Sequence, residues 1–117
     1  MNSALTKPFW DGAQQGRLVI QFDTKSGLPQ FYPRPVSLAS GSEDMAWREV
    51  SPDGRIAAAT SLSGPDPGVL AMVELDAGVR LLSRILGDPT SARPGARVRL
   101  TWLPRADGPP RFGFVVL

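Results

Sequence analysis

Four positions in this chain have the spacing of a metal centre without the atoms that make one. Asp23-Thr24-Lys25-Ser26-Gly27 and Ser37-Leu38-Ala39-Ser40-Gly41 share one form, four residues closed by a glycine, and each follows a short apolar run. With Cys at the first and fourth positions, two such turns facing one another would share a tetrahedral zinc. Here those positions hold Asp23, Ser26, Ser37 and Ser40, and the chain has no Cys and no His. A carboxylate and three hydroxyls are hard oxygen donors that hold zinc poorly. The expectation is therefore a pair of vestigial ligand turns with no metal and no cofactor. Phe22, Phe31, Tyr32, Val36, Leu38, Met45 and Trp47 are available as an apolar substitute. The three serines can hydrogen-bond the turn backbone.

Little else in the chain could do chemistry. Without His or Cys, the usual proton shuttle and the thiol nucleophile are absent. No G-x-S-x-G elbow, phosphate loop or G-x-G-x-x-G turn occurs. The carboxylates are scattered over turns and strand ends, so we expect a chain that is not an enzyme. Charge is laid out unevenly: residues 1–77 carry six bases against nine acids, and residues 78–117 carry seven Arg against Asp88 and Asp107. A basic C-terminal part could attract phosphates of nucleic acid or of CoA, or its arginines could simply be solvated.

The elements that must position these residues are short. Thr6 as N-cap and Pro8 in the first turn predict a helix over residues 6–15, with Phe9, Trp10 and Ala13 near one face. A helix this short is marginal alone, so its aromatic pair must bury against its own domain or serve a partner. Strands are predicted over 17–22 and 28–32, with the stiff Pro33-Arg34-Pro35 leading into the second turn. From Glu49 onward the pattern is β throughout, with strands over 55–62, 69–76, 79–86, 97–102 and 112–117. Five strands with one longer connection match an OB-fold barrel. The fold class is thus mostly β: a short N-terminal helix, a metal-free degenerate zinc-ribbon hairpin and a C-terminal five-stranded OB-fold. The domains are an N-terminal helical segment at 1–16, the ribbon at 17–48 and the OB-fold at 49–117. Residues 1–8 lack a secretory apolar region and no run is long enough for a membrane span, so a cytoplasmic protein is expected.

The frame around the two turns is Lys7-Pro-Phe-Trp-Asp-Gly12, Gly16-Arg-Leu-Val-Ile-Gln21, Gln30-Phe-Tyr-Pro-Arg-Pro35, Trp47-Arg-Glu-Val-Ser51 and Ala71-Met-Val-Glu-Leu-Asp76. In that order these pieces resemble the small proteins that join an N-terminal helix, a rubredoxin-like zinc ribbon and an OB-fold. Those proteins accompany thiolases and hydratases acting on acyl-CoA thioesters in lipid metabolism. The resemblance spans roughly Thr6 to Val116. It implies a non-catalytic accessory subunit, hetero-oligomeric with an acyl-CoA-processing enzyme that is typically a thiolase, and helping to bind the acyl-CoA. Phe9 and Trp10 are then the candidate partner-binding pair. Arg34, with Tyr32 and Lys25, is the candidate CoA contact, because a CoA tail offers phosphates and an adenine to arginine. A structural contact between Arg34 and the turns is the competing role. The alternative function is an OB-fold that binds single-stranded nucleic acid. Against it, the strands over 55–62, 69–76 and 79–86 contain no aromatic residue. Trp102, Phe112 and Phe114 read more simply as barrel core.

Overall fold

The computed structural model describes residues 4–117; Met1–Ser3 of the N-terminal segment lie outside the described residues. Two compact units emerge, one comprising the chain up to Ser51 with Ala77–Val79, the other Pro52–Asp76 with Arg80–Leu117.

In the first unit a 3-10 turn at Ala4–Thr6 runs into helix α1, Lys7–Gln14. Pro8 sits in its first turn, where a missing N–H costs nothing, and the N-cap residue Thr6 makes no capping hydrogen bond to the helix through its side chain. Phe9 and Ala13 of the expected face are buried, together with Gly12, whereas Trp10 is only half-buried. This helix packs on β1, Leu18–Asp23, the central strand of a three-stranded antiparallel sheet. β2, Pro29–Gln30, lies on one side of it and β3, Met45–Val50, on the other. The predicted return strand over 28–32 is thus only two residues long. Pro33 and Pro35 cannot donate to a ladder, and the chain leaves the sheet at Phe31. The third strand was missed as such, because Met45-Ala-Trp-Arg-Glu-Val50 does not alternate cleanly; it is half-buried from Met45 to Trp47, exposed at Arg48 and Glu49 and half-buried again at Val50.

The second unit is a closed barrel, and the mostly β expectation holds. Its strands are β4 (Asp53–Leu62), β5 (Gly68–Leu75), β6 (Arg80–Leu86), β7 (Arg97–Leu103) and β8 (Arg111–Val116). They close in the order β4-β5-β6-β8-β7. All pairings are antiparallel except β6 with β8. The period-two pattern sorts the faces. Val69, Ala71, Val73 and Leu75 of β5 point inward with Leu81 and Ile85 of β6, and Ile56, Val98, Leu100 and Phe114 complete the core. A short 3-10 turn at Pro89–Ser91 occupies the longer connection, capped by the Asp88 side chain accepting from the Thr90 N–H. Only Phe114 of the three late aromatics is a core residue; Trp102 and Phe112 are half-buried and meet edge-on across the β7–β8 ladder.

Candidate functional site

The two x-x-x-x-Gly turns fold identically. In the first, the Gly27 N–H donates to the Asp23 carbonyl and the Asp23 N–H to the Leu28 carbonyl. In the second, Gly41 donates to the Ser37 carbonyl and Ser37 to the Ser42 carbonyl, each at 2.8 Å. Gly27 and Gly41 sit at φ +74° and +73°, the left-handed region that closes such a turn and that a side chain disfavours.

These turns bring Asp23, Ser26, Ser37 and Ser40 together, and the geometry is an inverted metal site. One carboxylate oxygen of Asp23, Oδ2, accepts from Ser40 Oγ at 2.6 Å, from Ser37 Oγ at 2.8 Å and from Ser26 Oγ at 2.9 Å. Its other oxygen accepts from the Lys25 N–H at 2.9 Å. The anion itself therefore stands at the centre that three hydroxyls surround. The serine oxygens in turn accept from the turn backbone, Ser37 from the N–H groups of Ala39 and Ser40, Ser26 from that of Leu28. Asp23 and Ser37 are both buried. The Ser40 hydroxyl is the largest cause of an Asp23 carboxyl held well below the usual carboxylate range; burial opposes it, and Ser37, the Lys25 N–H and Ser26 reinforce it.

This donor set does not fit the zinc that the resemblance to zinc-ribbon proteins implies. Each of the three hydroxyl protons is directed at the carboxylate, and oxygen donors of this kind are poor partners for zinc. Among the described residues no group of three or more His, Cys, Asp or Glu could hold a metal ion. The expected apolar substitute is also absent. Leu38 is 71% exposed and Tyr32 50%, Val36 is exposed, and Phe22, Phe31, Met45 and Trp47 are only half-buried. Charge-assisted hydrogen bonding, not side-chain packing, ties the turns together.

A second polar cluster lies beside the first and was not anticipated. Gln21 and Gln30, directly opposite on β1 and β2, are both buried. Gln21 donates to the Arg34 carbonyl at 2.7 Å and accepts from the Arg34 N–H at 2.9 Å. Gln30 donates to the Val36 carbonyl and accepts from the Leu38 N–H. The two glutamines replace a strand partner for the segment after β2, which proline bars from the ladder. The only sequence signal was an amide inside each otherwise apolar run.

The remaining candidates fall out separately. The backbone of Arg34 is clamped by Gln21 while its residue remains exposed. Tyr32 follows Phe31, its ring centroid 4.6 Å away, and Lys25 lies in the first turn. Phe9 needs correction as a partner contact: it is fully buried against Trp10 and Phe31, so it reaches no surface. Trp10 is half-buried. The basic excess of the barrel is largely matched: Arg97 pairs with Asp76 and Arg99 with Asp53 through two hydrogen bonds each, Arg84 pairs with Asp66, and Arg55 and Arg80 share Glu74.

Five barrel strands in this order, with one parallel pair, define an OB-fold, here preceded by a helix and a two-turn hairpin. Residues 47–103 match the family model of the ChsH2 C-terminal OB-fold domain. A chain of the solved structure named Ltp2-ChsH2(DUF35) aldolase superposes with a TM-score of 0.85 at 26% identity, covering 98% of this chain and 96% of that one. A DUF35-family protein of unknown function from Sulfolobus solfataricus superposes with a TM-score of 0.71 at 14% identity, over 99% of this chain and 87% of that one. No curated protein matches the chain significantly. Residues 47–103 are thus similar to the ChsH2 C-terminal OB-fold domain, and over nearly its whole length the chain is similar to a chain of the Ltp2-ChsH2(DUF35) structure.

Proposed function

We propose that this chain is a non-catalytic accessory subunit of an enzyme complex of lipid metabolism, bound to an acyl-CoA-processing partner of thiolase type. The observation that carries this reading is the full-length likeness to a chain of an Ltp2-ChsH2(DUF35) aldolase. Thiolases and aldolases both make or break carbon–carbon bonds, so the partner class is an enzyme of that chemistry. The chain's own composition supports a non-catalytic role, since it has no imidazole and no thiol. In this role the Asp23 network keeps the two turns folded together without a metal. Arg34, beside Tyr32 and with its backbone fixed by Gln21, is the residue we assign to the CoA phosphates, with Lys25 as a second cation. The pairing of five barrel arginines with carboxylates weighs against the nucleic-acid reading.

The test is purification of the protein from its own cells, with native mass spectrometry of what accompanies it. The expected result is a complex with an enzyme of carbon–carbon bond chemistry, acting on an acyl-CoA, while the isolated chain turns over no thioester. Turnover by the chain alone would overturn the reading. So would binding of single-stranded DNA by the isolated chain that falls steeply with salt through counterion release.

A further inference from the structure

The barrel is closed by β7 only at one end of β4. The β4–β7 ladder covers Asp53–Arg55, and two further backbone hydrogen bonds tie Ile56 to Gly95 and Ala96. Beyond that point β4 continues for six residues, Ala57–Leu62, paired to β5 on one side and with no strand of the barrel on the other. A register shift between Ile56 and Ala58 marks where it departs. Ala57 through Ser61 are all exposed. Proteins usually blunt such an edge with charges or proline, but from Ile56 to Gly64 there is neither.

The outer face beside this edge is apolar and concave. Ala58 lies opposite Met72, Thr60 opposite Leu70, and Met72 opposite Leu82, which is 49% exposed. With Ala59 these residues line a hollow of about 160 Å³. One step along the same face, Arg55 and Arg80 share the single carboxylate of Glu74, with their side chains 61% and 62% exposed. That end of the face thus carries a surplus positive charge.

We infer that the free edge of β4 at Ala57–Leu62 receives an extended segment of the partner enzyme, which adds a strand to the barrel. The inference rests on the accessory-subunit reading. Backbone hydrogen bonds to an open edge supply affinity in this mode, and alternate side chains supply specificity. The segment carries a bulky aliphatic side chain for the hollow and, two residues away on the same face towards the start of β4, a carboxylate for the long side chain of Arg55. A second copy of this chain fits less well: paired edge to edge it would offer Ala58, Ala59 and Thr60, too small to fill the hollow.

The experiment uses the intact complex recovered with the co-purifying enzyme. Amide hydrogen exchange at residues 57–62 is measured in the complex and in the isolated chain. At least a tenfold slowing in the complex is expected. Ala58→Lys and Leu82→Ser, each checked for an unchanged melting temperature, should weaken binding at least tenfold, and Arg55→Glu should weaken it through charge. Equal exchange in both states overturns the inference while leaving the accessory role intact. Protection that grows with concentration of the isolated chain assigns the edge to a second copy and also overturns it. Recovery of no enzyme sinks both readings together.

Discussion

Asp23 shows how one carboxylate can join a pair of turns. A bound cation would gather four donors around a positive centre; here a negative centre gathers three hydroxyls and an N–H. The hydroxyls serve twice, donating to the carboxylate and accepting from backbone N–H groups of the turns. Removing the charge therefore loosens both turns at once. The Asp23 pKa is lowered on folding, so its contribution is present in full above the unfolded value of about 3.9 and fades as pH falls through the lowered folded value. Asp23→Asn should lower the melting temperature at neutral pH, and the gap between the two proteins should hold down to about pH 5 and narrow below about pH 4. Melting both proteins across pH 2–7 checks this. A gap that stays constant to pH 2, or none at pH 7, would contradict it.

The N-terminal helix illustrates how an element's function follows from which face it buries. Eight residues cannot hold a helix in water unaided, so α1 depends on its contact with β1. Phe9 is the ring it buries: fully covered, edge-on to Trp10 at 4.8 Å between centroids and tilted against Phe31 at 5.7 Å. Phe9→Ala should cost about 3–5 kcal/mol, the range for a buried aromatic truncated to a cavity. Trp10→Ala removes a half-buried ring and should cost less. Denaturant titration of the two variants checks the order. Because loss of Phe9 would disturb folding, Trp10→Ala alone is the informative variant for partner binding through this helix. The buried amides Gln21 and Gln30 act at the same scale, since they hold the segment 34–38 through its backbone where prolines forbid a strand.

At the scale of the molecule, a turn pair joined by hydrogen bonds to one carboxylate changes what should destabilise it. Small ribbons with a structural zinc unfold when a chelator takes the metal away. The hydrogen-bonded ribbon of this chain should be indifferent to chelators. We expect purified protein to hold no stoichiometric zinc and to melt identically with and without EDTA; elemental analysis showing one zinc per chain would contradict the account. No described helix is long and apolar enough to cross a membrane.

The sequence by itself determined the barrel, because a half-buried strand writes its two faces into alternate residues; Val69, Ala71, Val73 and Leu75 pointed inward as their period required. It also determined that Asp23, Ser26, Ser37 and Ser40 form one constellation, because local turn geometry depends on spacing and on a glycine with positive φ. What it did not reveal was which force joins the two turns. That was decided only when chain segments about fifteen residues apart met, placing one carboxylate among three hydroxyls. The apolar residues around the turns offered a plausible core, yet the tertiary arrangement leaves them half-buried or exposed. The open edge of β4 was equally invisible in one dimension. Ala57–Leu62 reads as an ordinary strand, and whether a strand has one neighbour or two depends on how far β7 extends beside it.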